Sequence, residues 1–146
     1  MWKAMNETLK VIQRRRSIRA YRPEQIANQE LEAILEAAIW APSAMNQQKW
    51  HFTVIQNKDM LQRITDVARE VMKAGPERMA QRAASPDFSP FFHAPTVIVI
   101  TGDSTGRFVR IDCSLAAQNI ALAAESLNIG SCIMTSPELI FESEKG

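Results

Sequence analysis

The chain has 146 residues, 46% of them hydrophobic and 23% charged, with a formal net charge of only +1. That balance suits one soluble globular domain with a sizeable core; it excludes a disordered or fibrous chain, and so small a net charge argues against a protein coated in nucleic acid. Cys113 and Cys132 are too few and too far apart for a zinc site or a disulfide scaffold, and with no metal cluster in view they read as buried thiols.

No run approaches the length of a membrane span, and the start Met1 to Glu7 lacks the apolar core of a signal peptide, so a cytoplasmic protein is expected. Residues 4 to 14 read as a first amphipathic helix through Met5, Leu9 and Ile12. It runs into Arg14-Arg15-Arg16-Ser17-Ile18-Arg19. Residues 1 to 22 hold seven Lys or Arg against Glu7 alone, so the positive charge is local and the remainder is net acidic. Two readings stand for this cluster. Guanidinium groups and a hydroxyl are the donors that clamp a phosphate; taken alone, the residues favour the second reading, a basic helix end, because cations are stabilised near helix carbonyls and short Arg runs are usually solvated.

Arg22-Pro23 breaks the helical pattern. A second helix is predicted from Asn28 as N-cap, with Glu30 in its first turn, Leu31, Ile34, Leu35 and Ala38 on its core face, and an end before Pro42. Ala41-Pro42-Ser43-Ala44-Met45-Asn46-Gln47-Gln48-Lys49-Trp50 is a loop by composition. Ser43, Asn46 and Gln48 can donate and accept hydrogen bonds, as the edge of a heterocycle requires; a plain connection whose polar groups see only water is the alternative.

A strand is predicted over 51–56 and a third helix over 58–73, with Met60, Leu61, Ile64, Val67, Ala68 and Val71 at helical spacing. From Gly75 to Pro90 periodicity fades, which predicts an irregular loop with a helical turn near Arg78 to Arg82. Thr96 to Ile100 is a β-branched run of a strand covered on both faces. The helix predicted over 110–127 is apolar or small nearly all round, so it must be covered on most sides, and a homodimer centred on it is expected. Asn128-Ile129-Gly130 ends it, and 131–135 reads as a further strand.

The succession Arg-Arg-Ser-x-Arg after one helix, Ala-Pro-Ser-x-x-Asn-x-Gln-x-Trp-x-Phe after the next, and an Ala-rich helix ending in Asn-Ile-Gly-Ser-Cys resembles the FMN-dependent nitroreductase family, in family order and over nearly the whole chain. The resemblance implies a three-layer α+β fold with a central mixed or antiparallel sheet flanked by helices, although the alternation of strands and helices alone also allows a doubly wound parallel sheet. It implies that Arg15, Arg16, Ser17 and Arg19 hold the FMN phosphate and ribityl chain, with Arg19 near the pyrimidine end. Pro42, Ser43, Ala44 and Asn46 match the loop that contacts the isoalloxazine from a partner subunit, which puts FMN sites at a homodimer interface. Thr135 and Ser136 match backbone lying against the flavin.

The chemistry implied is ping-pong, with NAD(P)H reducing the flavin and a nitroaromatic, quinone or similar acceptor oxidising it. No side chain is assigned as catalytic, and His51 and His93 read as structural or surface residues. Residues 1 to 146 are thus expected to form a single FMN-binding domain. Two departures stand out: Lys49 replaces the proline that usually precedes the Trp, and family members generally continue past Gly146 into a C-terminal arm, so weaker FMN binding and dimerisation are expected. An FMN-binding or interaction protein without turnover is the alternative function. Nucleic-acid binding ranks last, because beyond residue 22 the chain is net acidic and carries no interleaved aromatic stacking surface.

Overall fold

The computed structural model describes residues 6–135. Among them the elements are α1 (Glu7–Arg14), α2 (Asn28–Ile39), a 3₁₀ turn (Ala44–Asn46), β1 (Trp50–Ile55), α3 (Lys58–Lys73), α4 (Glu77–Ala83), β2 (Val97–Gly102) and α5 (Val109–Ser126). Helices thus accompany one small sheet, an α+β arrangement. The chain divides into two compact units.

Of the described residues, the first unit takes those up to Ile18, with Ile26–Thr53 and Ile98–Ile133. Here α1 starts where Asn6 Oδ1 accepts the Leu9 N–H at 3.0 Å, which satisfies one of the orphan donors of the first turn. The cap of α2 differs from the expected Asn28: Ala27 is the N-cap, and its own N–H is met by Glu30 Oε2 at 2.8 Å. Glu30 can fold back in this way because it stands three residues into the helix, the position of the reciprocal partner in a capping box.

The core of this unit is made of small side chains. Ile34, Ala38 and Ala41 are buried from the α2 side, and Ala116, Ala121 and Ala124 from α5. Asn119 Nδ2 donates to Ala37 O at 2.9 Å, tying the two helices together. β1 and β2 pair antiparallel, with the Asp103 N–H on Lys49 O at 3.0 Å joining the end of one to the start of the other. Gly102 ends β2 where a Cβ would collide with Val109 Cγ2 and lie 3.1 Å from Cys113 Sγ, so the strand meets α5 without a side chain. The strand expected over 131–135 is reduced to one parallel bridge between Ser131 and Ser17, with the Ile18 N–H on Ser131 O at 2.9 Å. Its partner is the short extended stretch after α1, which offers one bridge and no ladder.

Of the described residues, the second unit takes Arg19–Gln25, Val54–Val97, Met134 and Thr135. Its core is Ala68, Met72, Ala83 and Phe88, against which Ile64, Val67 and Met79 pack. Asn57 caps α3 by accepting the Met60 N–H at 2.8 Å. The segment read as an irregular loop carries α4, longer than the helical turn expected, and is tied down by arginine. Arg69 donates to Ala83 O at 2.9 Å and Ser85 O at 2.8 Å, while its guanidinium lies 5.1 Å from the centre of the Phe88 ring. Periodicity gave no sign of this order, because cation-π and side-chain-to-carbonyl contacts leave no repeat in sequence.

Candidate functional site

The Arg cluster begins at the end of α1. Arg15 is the C-cap, its N–H on Val11 O at 3.0 Å, and it is half-buried. Arg16 is exposed and turns one guanidinium nitrogen back onto Gln13 O and Arg15 O, the latter at 2.8 Å. Arg14 reaches Glu125 of α5 at 3.4 Å, and Lys10 pairs with Glu7 at 2.6 Å. Lys10, Gln13, Arg14 and Arg16 line an open cleft on the surface of this unit. The Lys10–Glu7 pair is exposed and Arg14 itself faces solvent, so neither cation is held strongly and an anion that offers several oxygens at once can compete for them. Ser17 is exposed and its backbone carries the bridge to Ser131, beside which Gly130 sits so close that a Cβ would lie 3.0 Å from Ile18 Cγ2.

The second cluster, in the same unit, is the loop that includes Pro42, Ser43, Ala44 and Asn46. Met45, Asn46 and Gln48 hold φ of 54°, 55° and 50°. Left-handed backbone costs a non-glycine residue about 1–2 kcal/mol, least for Asn, and persists only where neighbours over-determine it. Four hydrogen bonds do so here. Ser43 O accepts the Asn46 N–H at 2.9 Å, Ala44 O the Gln47 N–H at 3.1 Å, and Ser43 Oγ the Gln48 N–H at 3.0 Å. The fourth comes from far along the chain: the Ala44 N–H donates to Asp112 Oδ1 at 3.1 Å. Asp112 lies in the first turn of α5 and is only 5% exposed. Ser43 and Ala44 are half-buried, whereas Pro42, Met45 and Asn46 face solvent.

In the second unit Arg19 stacks on Phe92, 5.9 Å from its ring centre, and Arg82 lies 5.0 Å from the same ring. Arg82 Nη2 is buried and has no hydrogen-bond acceptor among the described residues. Thr135 is exposed. Ser136, also expected at the site, lies outside the described residues. Arg15, Arg16 and Ser17 therefore share one turn, and Ser43, Ala44 and Asn46 share one loop, while Arg19 and Thr135 belong to the other unit.

Asp112 was not among the residues singled out from sequence. Its signal was present: between Ile111 and Ala124 it is the one charged residue in a run that is otherwise apolar, small or amide-bearing. Next to it, burial and then the Asp112 charge push the Cys113 thiol above its ordinary value, which makes it a poor nucleophile near neutral pH.

Residues 12–143 match the nitroreductase family model. The chain belongs to the nitroreductase family. Among its relatives, a protein of Methanothermobacter thermautotrophicus named "Putative NADH dehydrogenase/NAD(P)H nitroreductase" is 35% identical over 130 residues. That alignment takes in 86% of this chain and 59% of the relative. The crystal structure of a nitroreductase with bound FMN from Bacteroides fragilis superposes with a TM-score of 0.84 at 36% identity, over 88% of this chain and 69% of that one. A second nitroreductase with bound FMN, from Desulfitobacterium hafniense, gives 0.84 at 37% identity, over 94% and 74%. This nitroreductase-family chain therefore spans about three fifths of the length of the first of these relatives. Among the described residues, no helix is long and apolar enough to cross a membrane.

Proposed function

We propose that this chain binds FMN and serves NAD(P)H-driven reduction of nitroaromatic, quinone or related acceptors by a ping-pong cycle. The observation that carries the reading is the turn at the end of α1, where exposed cations held only by weak or partial partners line an open cleft. This donor set fits a phosphate monoester: Arg16 has donors beyond the nitrogen that it spends on helix carbonyls, and Lys10 and Arg14 line the same cleft. FMN-bound family members of like fold support the choice of anion.

FMN, when bound, supplies the two-electron carrier between NAD(P)H and the acceptor. The chain's residues bind and orient it. Arg15, Arg16 and Ser17 would hold the phosphate end, and the Pro42, Ser43, Ala44 and Asn46 loop would border the ring system. Arg19, Thr135 and Ser136 stay in the proposal on the family resemblance. No side chain is assigned a proton or a covalent bond.

The assembly proposed is a homodimer. It is supported by an exposed apolar stripe formed by Ile111 and Leu115 of α5 with Phe108 just before the helix, Ile111 being 59% exposed, and by Trp40 and Met45, each 76% exposed. Apolar residues at such spacing and exposure favour a covering partner. The setting proposed is the cytoplasm, in keeping with the free thiols of Cys113 and Cys132. An FMN-binding role without turnover is the second reading. Anaerobic NAD(P)H oxidation by the FMN-loaded protein, followed by addition of a quinone or nitroaromatic, separates the two. Reoxidation by the acceptor supports the enzyme; flavin that stays oxidised leaves only the binding role.

A further inference from the structure

The strained loop at residues 43–48 is shaped by a carboxylate 68 residues away in sequence, and nothing in the exposed chemistry of the loop explains why that carboxylate is buried. A carboxylate at 5% exposure forfeits most of its hydration, so its position needs a compensating donor. The Ala44 N–H at 3.1 Å is such a donor, and it is the first N–H of the 3₁₀ turn. Immediately after Ala44 the backbone turns left-handed at Met45 and Asn46. The hydrogen bond thus fixes the loop at the point where its strain begins.

We propose that Asp112 is the positioning residue of the flavin-contacting loop, holding Ala44 so that the Ser43 to Asn46 backbone is pre-formed before FMN arrives. The inference rests on the proposed FMN reading. Pre-formation lowers the ordering cost of binding, so its loss appears as weaker affinity with no change of the contacts themselves.

The test uses wild type, Asp112→Ala, Asp112→Asn and Ala44→Pro, with two readouts: hydrogen exchange of loop and α5 amides in the flavin-free protein, and the FMN dissociation constant from a visible titration. Asp112→Ala is expected to speed Ala44 exchange and weaken FMN binding by about tenfold each, the scale of one buried hydrogen bond to a charged group. Asp112→Asn keeps an acceptor oxygen and is expected to restore both to within about threefold. Ala44→Pro deletes the N–H at a first helical position, where proline is tolerated, after a Ser43 already extended at φ −133° and ψ 151°. It is expected to weaken FMN like Asp112→Ala, and the double variant to be no worse than either.

If Asp112→Ala fails to fold, tight binding by Asp112→Asn with weak binding by Ala44→Pro supports the proposal, and equal binding by all forms overturns it. Loss of protection throughout α5 that Asp112→Asn does not rescue also overturns it, since that marks a merely structural carboxylate. A wild type that takes up no FMN defeats the flavin reading before any variant is made. A wild type that binds, with variants that do not differ, defeats the positioning role and leaves the flavin reading intact.

Discussion

The turn at the end of α1 and the loop at residues 43–48 belong to the same unit but are built in opposite ways. The turn is local: the Arg15 N–H and one guanidinium nitrogen of Arg16 meet carbonyls one to four residues away, and the helix that presents them has no buried residue. The loop is strained and is held partly by a buried carboxylate on another helix. A site made of charge can stand on a loosely packed element, because its partners are long and flexible. A site made of backbone shape depends on something rigid behind it.

The comparison can be broken most sharply at the turn. Replacing Arg16 and Arg19 together by Ala should cost several kcal/mol of FMN binding, at about 1.5–3 kcal/mol for each hydrogen bond to a charged group. Protein stability should hardly move, because Arg16 and Arg19 are both exposed. Parallel FMN titrations and thermal melts check this, and unchanged flavin retention contradicts the phosphate assignment.

The rigid support of the loop can be attacked next. Gly102→Ala would drive a Cβ into Val109 and towards Cys113, which flanks Asp112 on α5. Overpacking of this kind costs about 1–3 kcal/mol. The denaturant midpoint should fall, and the Ala44 amide signal should shift although residue 44 is untouched. A variant as stable as wild type contradicts the close strand-to-helix approach.

Asn6→Ala is the gentler counterpart for the turn. Loss of an N-cap costs about 1 kcal/mol, and the effect should stay in α1, as faster exchange of the Leu9 amide with the loop unaffected. Spread of the effect to residues 43–48 would show that the two regions are not independent.

The smallest effect lies at Asp103, beside the start of β1. Hydrogen bonds from the Thr105 hydroxyl and N–H, then from Lys49, hold its carboxyl down at about 2, from an ordinary 3.8. A depressed carboxylate contributes at pH above its ordinary value, and the contribution fades as pH falls through the folded value. Its carboxyl carbon shift should therefore titrate near pH 2, and Thr105→Ala should move the midpoint up. An ordinary midpoint in wild type contradicts the contact.

Much of this was legible in sequence where the cause is periodic or local. α3 appears over Lys58–Lys73 as its apolar spacing predicts, α5 falls within a residue of its predicted span, and α2 begins at Asn28 and stops before Pro42. The Arg turn was visible as a cluster, though not that Arg16 would fold back onto carbonyls. The shape of the 43–48 loop was not legible, because Met45, Asn46 and Gln48 are not glycines and nothing nearby announces positive φ. Its holder was hidden by 68 residues of separation. The order of the 75–90 segment was missed for a related reason: Arg69 and Arg82 act through rings and carbonyls, and neither leaves a period. The expected strand at 131–135 failed because composition shows an extended preference but not whether a partner strand is long enough.

The central claim is that this chain holds FMN, and a visible-absorbance titration of FMN into the purified protein tests it most directly. The account predicts a saturable change in the flavin spectrum that survives desalting and is bleached by NAD(P)H in the absence of air. Flavin that keeps its free spectrum at every protein concentration and washes away would contradict it.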